Sequence, residues 1–138
     1  MLVYLHGLNS SSQSAKAKLL ALRLAPFEVI APDYPAHRPD DAVEHLLAFF
    51  AALGDRRPAI VGSSMGGFYG QYLARRFRPS HLFLINPALT PWTLMAERLG
   101  ETQTTADGAS YLITEALAER PRAYHVKRPC EDVPTTVV

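Results

Sequence analysis

A Gly-Ser-Ser-Met-Gly segment that starts at Gly62 constrains the fold of this chain more than any other feature. It lies between an apolar run at residues 59–61, which predicts a buried strand, and Met65–Phe77, whose pattern predicts a helix. A chain that passes directly from a strand into a helix needs glycine wherever its backbone comes close to a neighbour. Gly62 and Gly66 meet that need, so the segment predicts a sharp strand-to-helix turn with Ser64 at its apex.

Strand-like and helix-like segments alternate along the rest of the chain. We expect strands at Leu2–Leu5, 27–31, 59–61 and His81–Ile85, and helices at 14–25, 41–53, Met65–Phe77, 91–99 and 110–119, with a polar loop at 101–107. This alternation predicts an α/β fold with a doubly wound, mainly parallel sheet and helices on both faces. With 138 residues and 48% hydrophobic content, residues 1–138 are expected to form a single domain.

Composition narrows the classes of partner. The formal net charge is only +1, with 14 basic and 13 acidic residues, so the sequence predicts no nucleic-acid partner and favours a small molecule. Cys130 is the only cysteine, which excludes an internal disulfide and a thiolate metal cluster and favours a reducing, cytoplasmic location. No metal or organic cofactor is expected. The amino-terminal apolar run is too short for a signal peptide or a membrane span.

The serine turn also predicts chemistry. Ser64 would project from the sheet at the positive end of the following helix, and the Met65 amide could hold an oxyanion. The segment His6-Gly7-Leu8, directly after the first strand, predicts the second oxyanion donor at the Leu8 amide. Gly7 would let this loop turn sharply, and His6 is interpreted as a residue that orients the loop rather than as a general base.

Three segments together resemble the YqiA/YcfP-type bacterial esterase family: residues 4–11 with 14–17, 61–69 and 85–88. The resemblance covers nearly the whole chain and implies a compact α/β-hydrolase that acts on carboxylic esters or acyl thioesters. It also implies that Asn86-Pro87-Ala88 helps to shape an acyl pocket near Ser64.

The carboxy-terminal part departs from this family. The family continues with a Gly-Asp-Glu turn that carries the acid of the catalytic triad and a Gly-x-His segment that carries the base, and neither is present in this sequence. We therefore expect a carboxy-terminally shortened hydrolase. Among substitutes, only Asp107 with His125 follows the usual order of serine, acid and histidine. The alternative interpretation is that Asp107 and His125 are both exposed loop residues.

Two hypotheses of function follow. The first is a serine esterase or thioesterase that forms an acyl-enzyme on Ser64, with weak activity in a chain that lacks the family's base. The second is a noncatalytic binding or dimerisation module on a shortened hydrolase scaffold, in which a second copy covers the exposed edge of the sheet. An activated serine would distinguish the first hypothesis from the second.

Overall fold

A five-stranded parallel sheet forms the centre of the computed structural model, which describes residues 1–138. The strands lie in the order β2-β1-β3-β4-β7, and every neighbouring pair is parallel. Their bounds are Leu2–Leu5 (β1), Val29–Ile30 (β2), Ala59–Ser63 (β3), His81–Ile85 (β4) and Thr135–Val137 (β7). The predicted α/β-hydrolase architecture with a mainly parallel sheet is confirmed.

Helices cover both faces of this sheet because neighbouring residues of its inner strands are buried on opposite sides. In β1, Val3 and Leu5 belong to the larger core cluster with helices α2 and α3, whereas Leu2 and Tyr4 pack on the other face with Ala17 of helix α1. The helices span Ala15–Leu24 (α1), Pro39–Ala52 (α2), Met65–Phe77 (α3), Pro91–Ala96 (α4) and Glu115–Glu119 (α5), followed by a 3-10 helix at Arg120–Tyr124.

Two short strands correct the sequence-based prediction for residues 101–119. Thr102–Thr104 (β5) and Ser110–Leu112 (β6) pair as an antiparallel hairpin, so the expected helix at 110–119 exists only as α5. The turn between them contains Asp107-Gly108, in which Gly108 has a φ of 90°. Asp-Gly is a strong hairpin signal, because it supplies the left-handed backbone that such turns need.

A further strand, β7, was not expected from the sequence. It pairs with β4 over Leu82↔Thr135 to Leu84↔Val137 and forms one edge of the sheet. Its approach is anchored by Val133, which is buried in the larger core cluster. None of the helices in this fold combines the length and the apolar character that a membrane crossing requires.

Candidate active site

Ser64 occupies a strained turn between β3 and α3. Its backbone has φ 54° and ψ −117°, a conformation that residues other than glycine rarely adopt. Two hydrogen bonds fix it: the Ser64 amide donates to the Ile85 carbonyl at 3.1 Å, and the Ala88 amide donates to the Ser64 carbonyl at 3.0 Å. The end of β4 and the loop after it therefore hold the serine in its strained geometry.

Glycines make this turn sterically possible. A Cβ atom added to Gly62 would lie 2.7 Å from the Gly67 Cα, and one added to Gly66 would lie 2.6 Å from the Leu5 carbonyl carbon. Both contacts are with backbone atoms, which cannot rotate away as the tip of a side chain can. Gly62 is therefore required by the closeness of β3 to the start of the following helix, and Gly66 by the close packing of the turn against β1.

The loop after β1 lies beside Ser64. A Cβ atom on Gly7 would be 3.5 Å from the Ser64 Cβ, which brings the His6-Gly7-Leu8 segment to the serine as expected. The Leu8 amide donates to no backbone carbonyl in the structure. Met65 begins α3, so its amide has no carbonyl in a preceding helical turn to bond with. Neither amide therefore donates to a backbone carbonyl in the structure.

His6 is a buried part of this loop. Its Nδ1 lies 2.8 Å from the Gly7 carbonyl oxygen, its ring stacks on Tyr34 at 4.3 Å, and the Tyr34 hydroxyl donates to the His6 carbonyl. Burial lowers the pKa of His6 below its ordinary value, so the ring is neutral at pH 7. These contacts fit a histidine that orients the loop.

Two further groups, Asp33 and Asn9, brace the loop. Asp33 accepts hydrogen bonds from the amide and the hydroxyl of Ser12, each at 2.9 Å. Asn9 accepts from the Tyr111 hydroxyl at 2.7 Å and donates to Gln103 at 3.2 Å, which ties the β5–β6 hairpin to the loop. A cleft of about 1120 Å³ lies between the loop, residues 33–38 and the hairpin.

The structure does not bring Asp107 and His125 together. Asp107 lies at the tip of the hairpin, where the Thr105 hydroxyl donates to it, and this hydrogen bond lowers the pKa of the Asp107 carboxyl. His125 follows the 3-10 helix and packs edge-on against Trp92, with ring centroids 4.9 Å apart. The two side chains line different cavities, so they do not form an acid–base pair here.

None of the other histidines hydrogen-bonds to Ser64. His37 stacks on Tyr111 at 4.6 Å, and His81 lies within hydrogen-bond distance of the Thr136 hydroxyl, at 2.9 Å. His45 lies on the exposed face of α2. No group of three or more histidine, cysteine, aspartate or glutamate side chains could hold a metal ion.

The parallel sheet with a strained serine turn at the end of β3 defines an α/β-hydrolase fold. Residues 1–134 match the family described as "Uncharacterised protein family (UPF0227)", and the chain belongs to that family. It is 27% identical over 118 residues to the UPF0227 protein YcfP of Escherichia coli K12 (strain DH10B) and, with the same figures, to that of Salmonella newport. This match covers 83% of the chain but 65% of YcfP, so the chain spans less than two thirds of these relatives.

Solved structures share the fold. A crystal structure from Agrobacterium vitis S4 named "Putative hydrolase" superimposes with a TM-score of 0.75 at 20% identity, and the match covers 99% of this chain and 66% of that one. A crystal structure named as a membrane phospholipase A gives a TM-score of 0.51 at 20% identity, with 89% and 51% covered. At these identities the likeness establishes the architecture alone.

Proposed function

We propose that Ser64 is the nucleophile of an enzyme that hydrolyses acyl esters or thioesters of small molecules. One observation carries the proposal: Ser64 is the only exposed residue between Ile60 and Gly70. Every neighbour in the chain is buried, and the serine is held out of the sheet in a strained backbone conformation. A buried framework that exposes one hydroxyl beside unbonded amides is the arrangement that acyl transfer needs.

The reaction would follow ordinary acyl transfer. The Ser64 Oγ attacks the carbonyl carbon and gives up its proton, while the Leu8 and Met65 amides donate hydrogen bonds to the oxygen that becomes negative. The C–O or C–S bond then breaks, and the alcohol or thiol leaves with a proton. Water attacks the acyl-serine, releases the carboxylic acid and restores the hydroxyl. The positive end of α3 favours the negative charge in both steps.

Removal of the Ser64 proton is the step of this reaction for which the chain provides the fewest groups. No histidine forms a hydrogen bond with the Ser64 hydroxyl: His6 lies within hydrogen-bond distance of Gly7 and His81 of Thr136, and His125 packs on Trp92. A well-placed general base contributes roughly 10²- to 10⁴-fold to the rate. We therefore expect the 138-residue chain to become acylated slowly, through its amide donors and the helix dipole.

Trapping of the acyl group tests this proposal. The folded chain is incubated with p-nitrophenyl butyrate and quenched with acid, and its peptides are mapped by mass spectrometry. We expect the butyryl group on the Ser64 hydroxyl, ahead of the exposed control serine Ser80. A folded chain in which Ser64 and Ser80 are acylated equally would contradict the proposal and would favour the noncatalytic module instead.

A further inference from the structure

An apolar pocket lies beside α3, away from the cleft next to the loop that follows β1. It has a volume of about 340 Å³. Phe68 and Ala74 of α3, Leu84 of β4 and Val137 of β7 contribute to its wall, and no acidic residue lines it. Such a pocket suits a hydrocarbon chain, because apolar atoms placed there are removed from water without the burial of an unpaired polar group.

A cluster of positive charge adjoins this pocket. Arg75 and Arg76 from the last turn of α3, together with Lys127 and Arg128, line an open cavity of about 610 Å³. None of the four side chains forms an ion pair in the structure, although six other arginines do. The Arg75 guanidinium donates to the Arg128 carbonyl, which fixes it against the Lys127–Arg128 segment.

Helix stabilisation explains only part of this cluster. Arg75 and Arg76 lie at the carboxyl end of α3, where positive charge interacts favourably with the helix dipole. Lys127 and Arg128 belong to a different segment, which the fold brings back against the helix. Four like charges without an acidic partner repel one another, so their convergence indicates an anion that would neutralise them.

The two cavities adjoin each other. His125, Val126 and Lys127 line both of them, so Lys127 lies where the apolar pocket meets the cavity lined by the arginines. A ligand that fills both would need a hydrocarbon chain and, at one end of it, a negatively charged group.

We propose that this site binds an amphiphilic anion, namely a single alkyl chain that ends in a carboxylate or a phosphate. The chain occupies the pocket between α3 and β7, and the charged group lies among Arg75, Arg76 and Lys127. The inference goes beyond the proposed function and does not depend on it, because neither cavity is lined by Ser64. A polyanion without an alkyl chain would leave the apolar pocket unused.

Trp92 provides a direct signal for binding. It is the only tryptophan of the chain, and its ring contacts His125, which lines both cavities, and Phe68, which lines the apolar pocket. Titration with decanoate, decyl phosphate and decanol below their aggregation limits should change the Trp92 fluorescence. We expect saturation with both anions, at least tenfold weaker binding of decanol, and about threefold tighter binding per added methylene from hexanoate to decanoate.

Matched variants locate the site. Arg76→Gln/Lys127→Gln should weaken decanoate binding about tenfold, whereas Lys16→Gln/Lys18→Gln removes two exposed charges from α1 and should leave it unchanged. Gln71→Phe, which fills the apolar pocket from α3, should weaken decanol and decanoate alike. Ser64→Ala should bind decanoate as wild type does, which separates this site from the proposed reaction.

Three outcomes would overturn the proposal. Decanol that binds as tightly as decanoate would mean that the charge is not recognised. Equal losses in the α1 control and in Arg76→Gln/Lys127→Gln would point to a general electrostatic effect. A short oligonucleotide that competes as well as decyl phosphate would show a surface for polyanions rather than a site for an amphiphile.

Discussion

Gly66→Ala is expected to destabilise the fold more than any other substitution that adds a single methyl group at this site. The new Cβ would lie 2.6 Å from the Leu5 carbonyl carbon and 2.8 Å from the His6 carbonyl oxygen. Both are backbone atoms of β1 and its following loop, so relief requires a shift of α3 against the sheet. We expect a loss of about 3 kcal/mol or more in the free energy of unfolding, measured by urea denaturation.

Gly70→Ala is the matched control on the same helix. Its added Cβ would lie 3.3 Å from Leu82 Cδ1, the end of a flexible side chain, and would replace a glycine in the interior of α3. Alanine in a helix interior is favoured over glycine by roughly 1 kcal/mol, which offsets the close contact. Equal stability of Gly66→Ala and Gly70→Ala would show that the serine turn is not packed against β1 as described.

Ser64→Ala should abolish acyl transfer that depends on an added base. Ser64 is exposed, and no histidine hydrogen-bonds to its hydroxyl, so imidazole from solution can reach the hydroxyl and take its proton. We expect the rate of acylation of the wild-type chain by p-nitrophenyl butyrate to rise at least about tenfold with imidazole, part of the 10²- to 10⁴-fold that a built-in base supplies. Acylation of Ser64→Ala should not rise.

Ser63→Ala controls for the adjacent hydroxyl. Ser63 is only 7% exposed and ends β3, so its removal should leave the imidazole-dependent acylation unchanged. Acylation is followed as acyl groups bound to the protein, because imidazole also hydrolyses the free ester. Loss of the response in Ser63→Ala with retention in Ser64→Ala would reassign the nucleophile.

The sequence was sufficient to predict the strand-to-helix turn at Ser64 because the residues that determine it are local. The glycines at 62 and 66 and the apolar run before them lie within a few residues, and α3 and β4 have the predicted bounds. The same kind of local signal predicted that β1 to β4 are strands, since buried parallel strands appear as continuous apolar runs.

Elements that depend on distant partners were harder to predict. β7 is a short run with two threonines, and it becomes a strand only because β4 presents an unpaired edge to it. The hairpin carried a local signal in Asp107-Gly108, but its strands have three residues each. Asp107 and His125 are kept apart because the hairpin and the 3-10 helix pack on different parts of the molecule. The order of the residues along the chain does not reveal this packing.

Intact-mass spectrometry after treatment with a fluorophosphonate tests the central claim most directly. The wild-type chain and Ser64→Ala are labelled with and without imidazole, and the folded state of both is verified by circular dichroism. We predict one adduct per wild-type chain, located on Ser64 by peptide mapping, formed faster with imidazole and absent from Ser64→Ala. A folded wild-type chain that gains no adduct on Ser64 even with imidazole would contradict the assignment of Ser64 as an acyl-transfer nucleophile.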